Sequence, residues 1–354
     1  MAIIIISKNK NHMNTMRLHP AENDVAVLVI FFTRAEMLRH TFEAIRKARP
    51  SRLFLYQDGP RNTDDALKVE AARQVVSDTA IDWECDVQRN YHDANDGLWP
   101  STYHAMLWAF SLYDKCIILE EDSTPAPSFI PFCKELLDRY ENDLRIGMIA
   151  GFNHEERTAS DYDYLFTTMM PVWGWASWRR VIDGWDSTYS VVDDEYNMRQ
   201  LEALSRRKNG WREMPKKMRR HKEQGLTVYE TIMWAYLTLN SCLTIVPTRN
   251  MIHNSAISTD SVHYKAGLKT LPRRIQRLLT MPACDVQFPL RHPKTVKEDV
   301  GYKERVFRIM AWEHPVIKVG RSLEELYRNL RYGNFRNILS AVVRRIGRAA
   351  PAKE

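Results

Sequence analysis

The sequence of 354 residues lacks long apolar runs, paired-cysteine motifs, repeats and low-complexity segments. Its longest apolar run, Val25 to Phe32, is far shorter than the roughly 20 residues that a membrane-spanning helix needs. Its five cysteines form no Cys-x-x-Cys pair, which argues against a structural zinc site. They indicate reduced thiols in a cytoplasmic protein. Ordinary proportions of hydrophobic and charged residues, 44% and 27%, then place the chain among globular proteins.

An excess of positive or negative charge is also missing from most of the chain. Residues 301–354 contain 12 Lys and Arg against 5 Asp and Glu, a net charge of +7. Residues 1–300 therefore hold 39 residues of each sign and are neutral. Because the body carries no basic excess, the sequence predicts no nucleic-acid partner.

Strand-like apolar segments alternate with helical patterns from Val25 to Gly151. The predicted strands lie at 25–32, 52–59, 85–91, 115–122 and 146–151. This alternation predicts an α/β fold with a mostly parallel sheet and helices on both faces. We expect a leader at 1–23, one domain at 24–265, and a C-terminal extension with basic amphipathic helices at 266–354. Ligands of such sheets bind at the carboxyl ends of the strands.

Three consecutive acids, Glu120, Glu121 and Asp122, end the fourth predicted strand. Adjacent carboxylates repel one another, and a divalent cation relieves that repulsion. Oxygen ligands suit Mg²⁺ or Mn²⁺. A solvated acidic turn explains the local sequence equally well, but the position at a strand end favours a metal site.

The segment LEED at 119–122, followed by TPAPSFIPFCKELLDRY at 124–140, resembles the metal-binding motif of GT-A glycosyltransferases. The resemblance is to bacterial surface-polysaccharide transferases distantly related to the N-acetylglucosaminyltransferase I family, and it covers roughly residues 25–264. It implies a Rossmann-like GT-A fold in which Asp122 is the direct ligand of Mn²⁺ or Mg²⁺. Glu121 stands where that family usually has Asp, and its longer arm could reach a metal-bound water or weaken the site.

The same resemblance implies a donor site built from strand ends. It implies that Arg34 contacts a nucleoside diphosphate and that Asp58 lies near its base or ribose. NDGLW at 95–99 is similar to the family's Asn-x-Gly loop beside the donor, which assigns Asn95 and Gly97 to donor binding with Glu120 and Glu121. Taken singly, Arg34 is better explained as a surface arginine and Asp58 as part of a plain turn, but their joint order along the chain favours the donor site.

An aromatic segment, VWGWASWRR at 172–180, resembles the family's platform for donor and acceptor sugars. Tryptophan faces stack on sugar rings, so Trp173, Gly174 and Trp175 are candidates for that platform. Core packing is the alternative explanation for three closely spaced tryptophans.

A helix predicted near 227–240 carries the candidate general base, Glu230, in its first turn. An inverting sugar transfer needs a base for the acceptor hydroxyl, and a carboxylate is the usual one. Alignment on Trp234 to Tyr236 places Thr231, rather than Glu230, opposite the family's Asp. A carboxylate favoured by the helix dipole is the alternative role for Glu230.

The segment NMIHNSAISTDSVHY at 250–264 resembles the loop that ends the family's domain. Asn254, Asp260 and His263 match that loop, whereas Ala256 and Ser258 replace its glycines. The resemblance implies that His263 completes the metal or diphosphate shell.

These features together predict a metal-dependent, inverting glycosyltransferase of cell-surface polysaccharide synthesis. It would move a sugar from a nucleoside-diphosphate sugar, with a UDP-sugar favoured, to a glycan or lipid-linked acceptor. One alternative is a sugar-phosphate nucleotidyltransferase, although the first strand leads into FFTRAEML, which has no glycine for gripping a triphosphate. The other is a transferase-like binding protein without turnover.

The basic tail contains LEELYRNLRYGNFRNILSAVVRRIGR at 323–348, where apolar residues and arginines alternate at roughly helical spacing. Basic amphipathic helices suit anionic membrane surfaces. The tail therefore predicts peripheral attachment to the inner face of the plasma membrane, with a solvated helix packed on the domain as the alternative.

Overall fold

A computed structural model describes residues 18–206, 213–255, 268–312, 314–335 and 338. Its strands are β1 (Asn23–Phe31), β2 (Pro50–Gln57), β3 (Asp86–Tyr91), β4 (Lys115–Glu120), β5 (Ser123–Pro125), β6 (Ile146–Ala150), β7 (Tyr164–Thr167), β8 (Trp175–Trp178), β9 (Leu243–Pro247) and β10 (Ile252–Asn254).

The helices are α1 (Ala35–Ala48), α2 (Thr63–Val75), α3 (Leu98–Leu112), α4 (Phe129–Arg139), α5 (Arg179–Ile182), α6 (Glu195–Arg206), α7 (Met214–Glu223), α8 (Tyr229–Leu239), α9 (Arg273–Leu279), α10 (Val300–Met310) and α11 (Pro315–Arg331). Short 3-10 helices lie at Asp78–Ala80, Ser190–Asp193 and Leu268–Thr270.

Eight strands form one mixed sheet in the order β3-β2-β1-β4-β8-β6-β9-β7. The first four are parallel, and β6 and β9 run in the same direction, whereas β8 and β7 are antiparallel to their neighbours. The carboxyl ends of β1 to β4 and β6 consequently share one edge. The mostly parallel sheet predicted from the sequence is confirmed.

Helices cover both faces of this sheet, and β1 is accordingly apolar at every position from Val25 onward. Val25, Val27, Val29 and Phe31 face one core cluster, which includes side chains of α1 and α4. The alternate residues of β1, which are Ala26, Leu28 and Ile30, face a second cluster that includes side chains of α3 and α8. A strand buried on both faces has the continuous apolar sequence seen at 25–31.

Helix α1 ends at Ala48, because Arg49 is in the left-handed conformation and Pro50 starts β2. In α3, Tyr103, Met106 and Phe110 are buried, whereas Trp99 is 45% exposed. The aromatic segment after residue 172 contains β8, which pairs with β4 and β6 at the centre of the sheet.

The C-terminal segment packs against both cores. Val286 and Leu290 belong to the cluster on one face, and Tyr302, Val306 and Phe307 belong to the cluster on the other. The predicted boundary at 265 lies outside the described residues. The packed body nevertheless extends beyond that position to Ala311, which is 3% exposed.

Across the described ranges, no helix combines the length and apolarity needed to cross a membrane.

Candidate active site

The connection from β1 to α1 is held in place by Glu121. One carboxylate oxygen of Glu121 accepts hydrogen bonds from the backbone N–H groups of Phe32 and Arg34, at 2.8 and 3.3 Å. The other accepts the Nε–H of the Arg34 side chain. Glu121 is 4% exposed. Its carboxylate therefore orders the loop and orients Arg34, which is a different role from the direct donor contact expected from the sequence.

Arg34 also reaches Asp122, with its Nη2 atom 2.9 Å from Oδ2. Burial opposes the positive charge of Arg34, but the carboxylates of Glu121 and Asp122 outweigh it and raise the pKa of the guanidinium. A charged, oriented guanidinium at the end of β1 is suited to binding an anion.

Asp122 is positioned by a small two-stranded sheet. Directly after it, β5 pairs antiparallel with β10, with Ser123 opposite Asn254. The backbone oxygen of Asp122 accepts a hydrogen bond from Ser255 N at 2.9 Å. The Oδ1 atom has a 3.4 Å contact with Ser123 Oγ, which is a weak hydrogen bond at most. One oxygen of Asp122 is thus available to a ligand.

Glu120 and Glu230 bring further carboxyl groups to this edge. Burial, followed by the charges of Asp122 and Glu230, raises the pKa of Glu120 to about 8. Burial also raises the pKa of Glu230, whose Oε2 atom is buried without a hydrogen-bond partner. Glu230 lies in the first turn of α8, as expected. The neighbouring Thr231 is 2% exposed and belongs to the buried polar residues.

Tyr229 lies beside the carboxyl groups of Glu120 and Glu230. Burial, Glu230 and Glu120 raise its pKa well above the usual tyrosine range, so its hydroxyl stays protonated. Its ring lies nearly parallel to those of Trp175 and Trp185, with interplanar angles of 10° and 19°. The sequence reasoning missed Tyr229, because nothing in the local pattern shows that this tyrosine meets the end of β4.

Asp58 joins the ends of β2 and β3. Its Oδ1 atom accepts bonds from the backbone N–H groups of Gly59 and Asp96, both at 2.9 Å. Its Oδ2 atom accepts bonds from Asn95 Nδ2 at 2.9 Å and from Gly97 N at 3.0 Å. Gly97 has φ of 87°, a conformation that favours glycine, and precedes α3. The structure thus brings Asp58, Asn95 and Gly97 together, and Asp58 shapes the loop.

Two groups of side chains offer oxygen-rich sets to a divalent metal. Asp58, His92 and Asp96 have one ligand atom each within 4.8 Å of one another. Each oxygen of Asp58 already accepts two N–H bonds, so a metal there would displace existing hydrogen bonds.

The second group, which we call the strand-end cluster, consists of Glu120, Glu121, Asp122 and Glu230 with Arg34. Burial and the neighbouring carboxylates raise the pKa of Glu120, and a bound cation would relieve that repulsion. The repulsion, the available oxygen of Asp122 and the Oε2 atom of Glu230, which has no hydrogen-bond partner among the described residues, fit a hard divalent cation. His263, the other expected metal ligand, lies outside the described residues.

The three residues of the expected sugar platform have different environments. Trp175 is 1% exposed and packs against Tyr229 and Trp185, which are the contacts of a core residue. Trp173 is only partly buried, and its ring makes an edge contact with Phe152 at 4.6 Å between centroids. Gly174 has φ of 60° and packs against Ile252. Of the two tryptophans, only Trp173 keeps ring surface available to a ligand.

His154 is a second residue that the sequence reasoning missed. It follows β6 at the same sheet edge and contacts Phe152, with 5.1 Å between ring centroids. Its Nδ1 atom is buried without a partner, and burial lowers its pKa to about 4. A neutral imidazole therefore packs on Phe152, whose ring also contacts Trp173. A single His in a loop gave no signal for this placement.

No protein-family model matches the chain, and no curated protein sequence is similar to it. Solved structures that are similar include a mannosyltransferase of Pyrobaculum calidifontis in complex with GDP-Man and Mn²⁺, at 14% identity and a TM-score of 0.33. That alignment covers 47% of this chain and 48% of the mannosyltransferase, so the chain matches about half of its length.

Two nucleotidyl-transferring enzymes are also similar. An apo UDP-glucose pyrophosphorylase is 10% identical with a TM-score of 0.34, covering 65% of this chain and 93% of that chain. A cytidylyltransferase of Leptospira borgpetersenii is 14% identical with a TM-score of 0.26, covering 49% and 65%. Likenesses this distant assign no function to this chain.

Proposed function

We propose that the protein is a metal-dependent, inverting glycosyltransferase that uses a nucleoside-diphosphate sugar, with a UDP-sugar favoured. The observation that carries the proposal is the strand-end cluster, where Glu121 and Asp122 at the end of β4 hold the Arg34 guanidinium, while Glu230 from α8 and Asp122 act electrostatically on Glu120. The acceptor would be a glycan or a lipid-linked sugar of cell-surface polysaccharide synthesis.

Arg34 and the carboxylates would bind the diphosphate in two ways. Arg34 supplies a positive charge for the diphosphate oxygens, and its orientation is fixed because Glu121 binds the guanidinium. Asp122 and Glu120 would hold Mn²⁺ or Mg²⁺ at the same edge. When bound, such a cation neutralises the charge that develops on a departing diphosphate.

Glu230 is the proposed general base. A base works best when its pKa lies near the working pH, and burial raises the pKa of Glu230 in that direction. Its Oε2 atom has no hydrogen-bond partner among the described residues and could accept the proton of an acceptor hydroxyl. Attack by that hydroxyl, opposite to the leaving diphosphate, would invert the configuration of the transferred sugar.

The loop ordered by Asp58 supplies the remaining wall of the proposed donor site. Asp58 fixes Asn95, Asp96 and Gly97 against the end of β2. A nucleoside would then lie between this loop and the β1–α1 connection, with Trp173 as the candidate surface for a sugar ring.

The short β1–α1 connection favours sugar transfer over nucleotidyl transfer. β1 ends at Phe31 and α1 begins at Ala35, so only residues 32–34 connect them. Three residues without glycine, tied to Glu121, leave little backbone to wrap a triphosphate. Release of pyrophosphate from a nucleoside triphosphate and a sugar phosphate would instead establish the nucleotidyltransferase.

The Asp122→Asn variant tests the metal assignment. We expect it to lose Mn²⁺-dependent binding of UDP in calorimetry and to lose UDP release from UDP-sugars, because it lacks the proposed metal-binding charge. The matched control is Asp96→Asn, in the other oxygen-rich group, which should bind UDP with an unchanged metal requirement.

The two variants separate the competing interpretations. If Asp96→Asn loses the metal dependence and Asp122→Asn keeps it, the metal lies beside Asp58 and the proposed centre is wrong. Metal-dependent UDP binding by the unaltered protein without release of sugar from any donor would identify a binding protein without turnover.

A further inference from the structure

The last described helix, α11, presents its apolar residues to solvent. Val316, Val319, Leu323, Leu326, Tyr327 and Leu330 are between 44% and 83% exposed. They recur at intervals of three and four residues and therefore lie along one side of the helix. Six large apolar side chains in one exposed stripe are unusual for a surface helix and mark an interaction site.

The opposite side of α11 is polar, and this side packs on the protein. Asn329 is 5% exposed, and its Nδ2 atom lies 3.5 Å from the backbone oxygen of Thr270. Glu324 accepts a bond from Arg273 N at 3.0 Å, and Arg328 donates to the backbone oxygen of Lys269 at 3.3 Å. Arg321 donates to the backbone oxygen of Met310 at 2.9 Å. These bonds fix the helix with its apolar stripe, residues 316–330, facing away from the domain.

The helix that carries the stripe is itself basic. α11 contains four Lys and Arg against two Glu, a net charge of +2. Lys318 and Arg331 are both exposed on α11, and Tyr332 and Phe335 expose aromatic rings just after it. Aromatic rings beside basic side chains are typical of segments at a membrane–water interface.

We propose that α11 docks on an anionic lipid surface, lying in the plane of the bilayer with its apolar stripe inserted. The charge argues against a second copy of the chain as the occupant, because pairing two stripes would bring together two helices that each carry a net charge of +2. An anionic bilayer offers both the apolar interior and the negative charge that the helix lacks. Docking would also bring the active site to a lipid-linked acceptor, and this part of the inference rests on the proposed function.

The test is co-sedimentation of the full chain with vesicles of phosphatidylglycerol and with vesicles of phosphatidylcholine. We expect binding to the anionic vesicles that weakens as salt is added. The double variant Leu323→Gln/Leu330→Gln should reduce the partition coefficient by at least ~10-fold, because two inserted side chains become polar. Lys318→Gln should reduce it about fivefold, as expected for one basic residue at an anionic surface.

The matched control is Leu67→Gln/Leu144→Gln, which changes two leucines that are 75% and 71% exposed elsewhere on the protein. It should bind vesicles like the unaltered chain. Equal loss in the control and the stripe variant, or no loss in either, would overturn the proposal. So would a stripe variant that turns a dimer into a monomer in sedimentation velocity while vesicle binding is unchanged.

Two further measurements keep this test separate from the proposed function. A chain ending at residue 335 should retain vesicle binding, and its complete loss would place the binding in residues 336–354 and refute a role for α11. Release of UDP from a UDP-sugar in solution should be equal in the stripe variant and the unaltered chain. Vesicle binding without any such release would leave the docking surface standing and refute the transferase.

Discussion

Glu230 differs from the other carboxyl groups of the strand-end cluster in what its oxygens contact. Glu121 is held by three N–H donors and Asp122 by Arg34, whereas Glu230 keeps one buried oxygen without a partner. A buried acceptor without a donor costs free energy in the resting protein. Such a cost is tolerated where the partner is a substrate group, here the acceptor hydroxyl.

The Glu230→Gln variant should lower turnover by about 10²–10⁴-fold, the usual contribution of a general base, and leave metal-dependent UDP binding intact. Because the base acts when ionised and its pKa is raised, kcat/KM of the unaltered protein should fall on the acid side of a pKa above the ordinary glutamate range. This acid limb should be absent from the residual activity of the variant.

Thr231→Ser is the control, since Thr231 is the alternative position for the base in the family resemblance. Its turnover should be close to that of the unaltered protein. Full activity in Glu230→Gln, measured as sugar transfer to the acceptor, would contradict the assignment.

Glu121 acts through the residues that it holds. Glu121→Asp restores the residue usual in the resembled family, yet its side chain is one methylene shorter and should no longer reach Phe32 N, Arg34 N and Arg34 Nε together. We expect the KM for the donor to rise on the order of tenfold, equivalent to one charged hydrogen bond, with the metal requirement unchanged. If donor titrations give Glu121→Asp a KM equal to or lower than that of the unaltered protein, the loop tolerates Asp.

At the scale of elements, the approach of β8 to β10 depends on Gly174. Its φ is 60°, and a Cβ atom there would lie 2.5 Å from Ile252 Cδ1 and 3.2 Å from Leu119 Cδ2. Leu119 precedes Glu120, so this contact also sets the end of β4. Gly225, at the end of α7, has nearly the same φ of 62°, but a Cβ atom there would have no neighbour within 4 Å.

The pair Gly174→Ala and Gly225→Ala separates backbone strain from crowding. Gly225→Ala should cost about 1 kcal/mol of unfolding free energy, because alanine is strained in the left-handed conformation. Gly174→Ala adds overpacking of about 1–3 kcal/mol. Denaturant unfolding should therefore show a larger loss for Gly174→Ala, and equal losses would mean that Ile252 moves aside freely.

The predictable elements were those with a local signal. β1, β2, β4 and β6 are apolar segments, whereas β3, with the sequence DVQRNY, is polar and has the weakest signal. The position of Glu120 to Asp122 at a strand end follows from parallel topology. β7 and β8 have four residues each, all buried, so neither shows an alternating pattern. Their pairings with β9, β4 and β6 link distant parts of the chain and leave no mark in the local sequence.

Within the site, the sequence could indicate residue types but not which side chains face the ligand. Trp173 and Trp175 are two residues apart, yet one keeps exposed ring surface and the other stacks in the core. The contribution of Tyr229 depends on α8 packing beside β4. The orientation of α11 was equally hidden, because an amphipathic pattern does not show whether its apolar side faces the domain or the solvent.

At the scale of the whole molecule, charge and chemistry are separated along the chain. Residues 268–354 hold 19 Lys and Arg against 8 Asp and Glu, a net of +11, which leaves residues 1–267 at −4. The proposed catalytic carboxylates lie in the acidic part and the proposed docking helix in the basic part. Yet the basic part is no appendage, since its residues up to Ala311 complete both cores.

A chain ending at residue 267 should therefore fail to fold cooperatively. It would lose Tyr302, Val306 and Phe307 from one core, each worth about 1.5–3 kcal/mol, and total stabilities are only about 5–15 kcal/mol. It would also lose the backbone bonds from Cys284 to Asn250 and from Asp299 to Phe166, which support the β10 and β7 ends of the fold.

Thermal unfolding followed by circular dichroism checks this, with a chain ending at residue 335 as the control. The control keeps the buried contacts described for the C-terminal segment and should melt close to the full-length protein. The 267-residue chain should show a broad, weakly cooperative transition. A sharp transition at the same temperature would instead establish residues 24–265 as a self-sufficient domain, and α9, α10 and α11 as a separable membrane attachment.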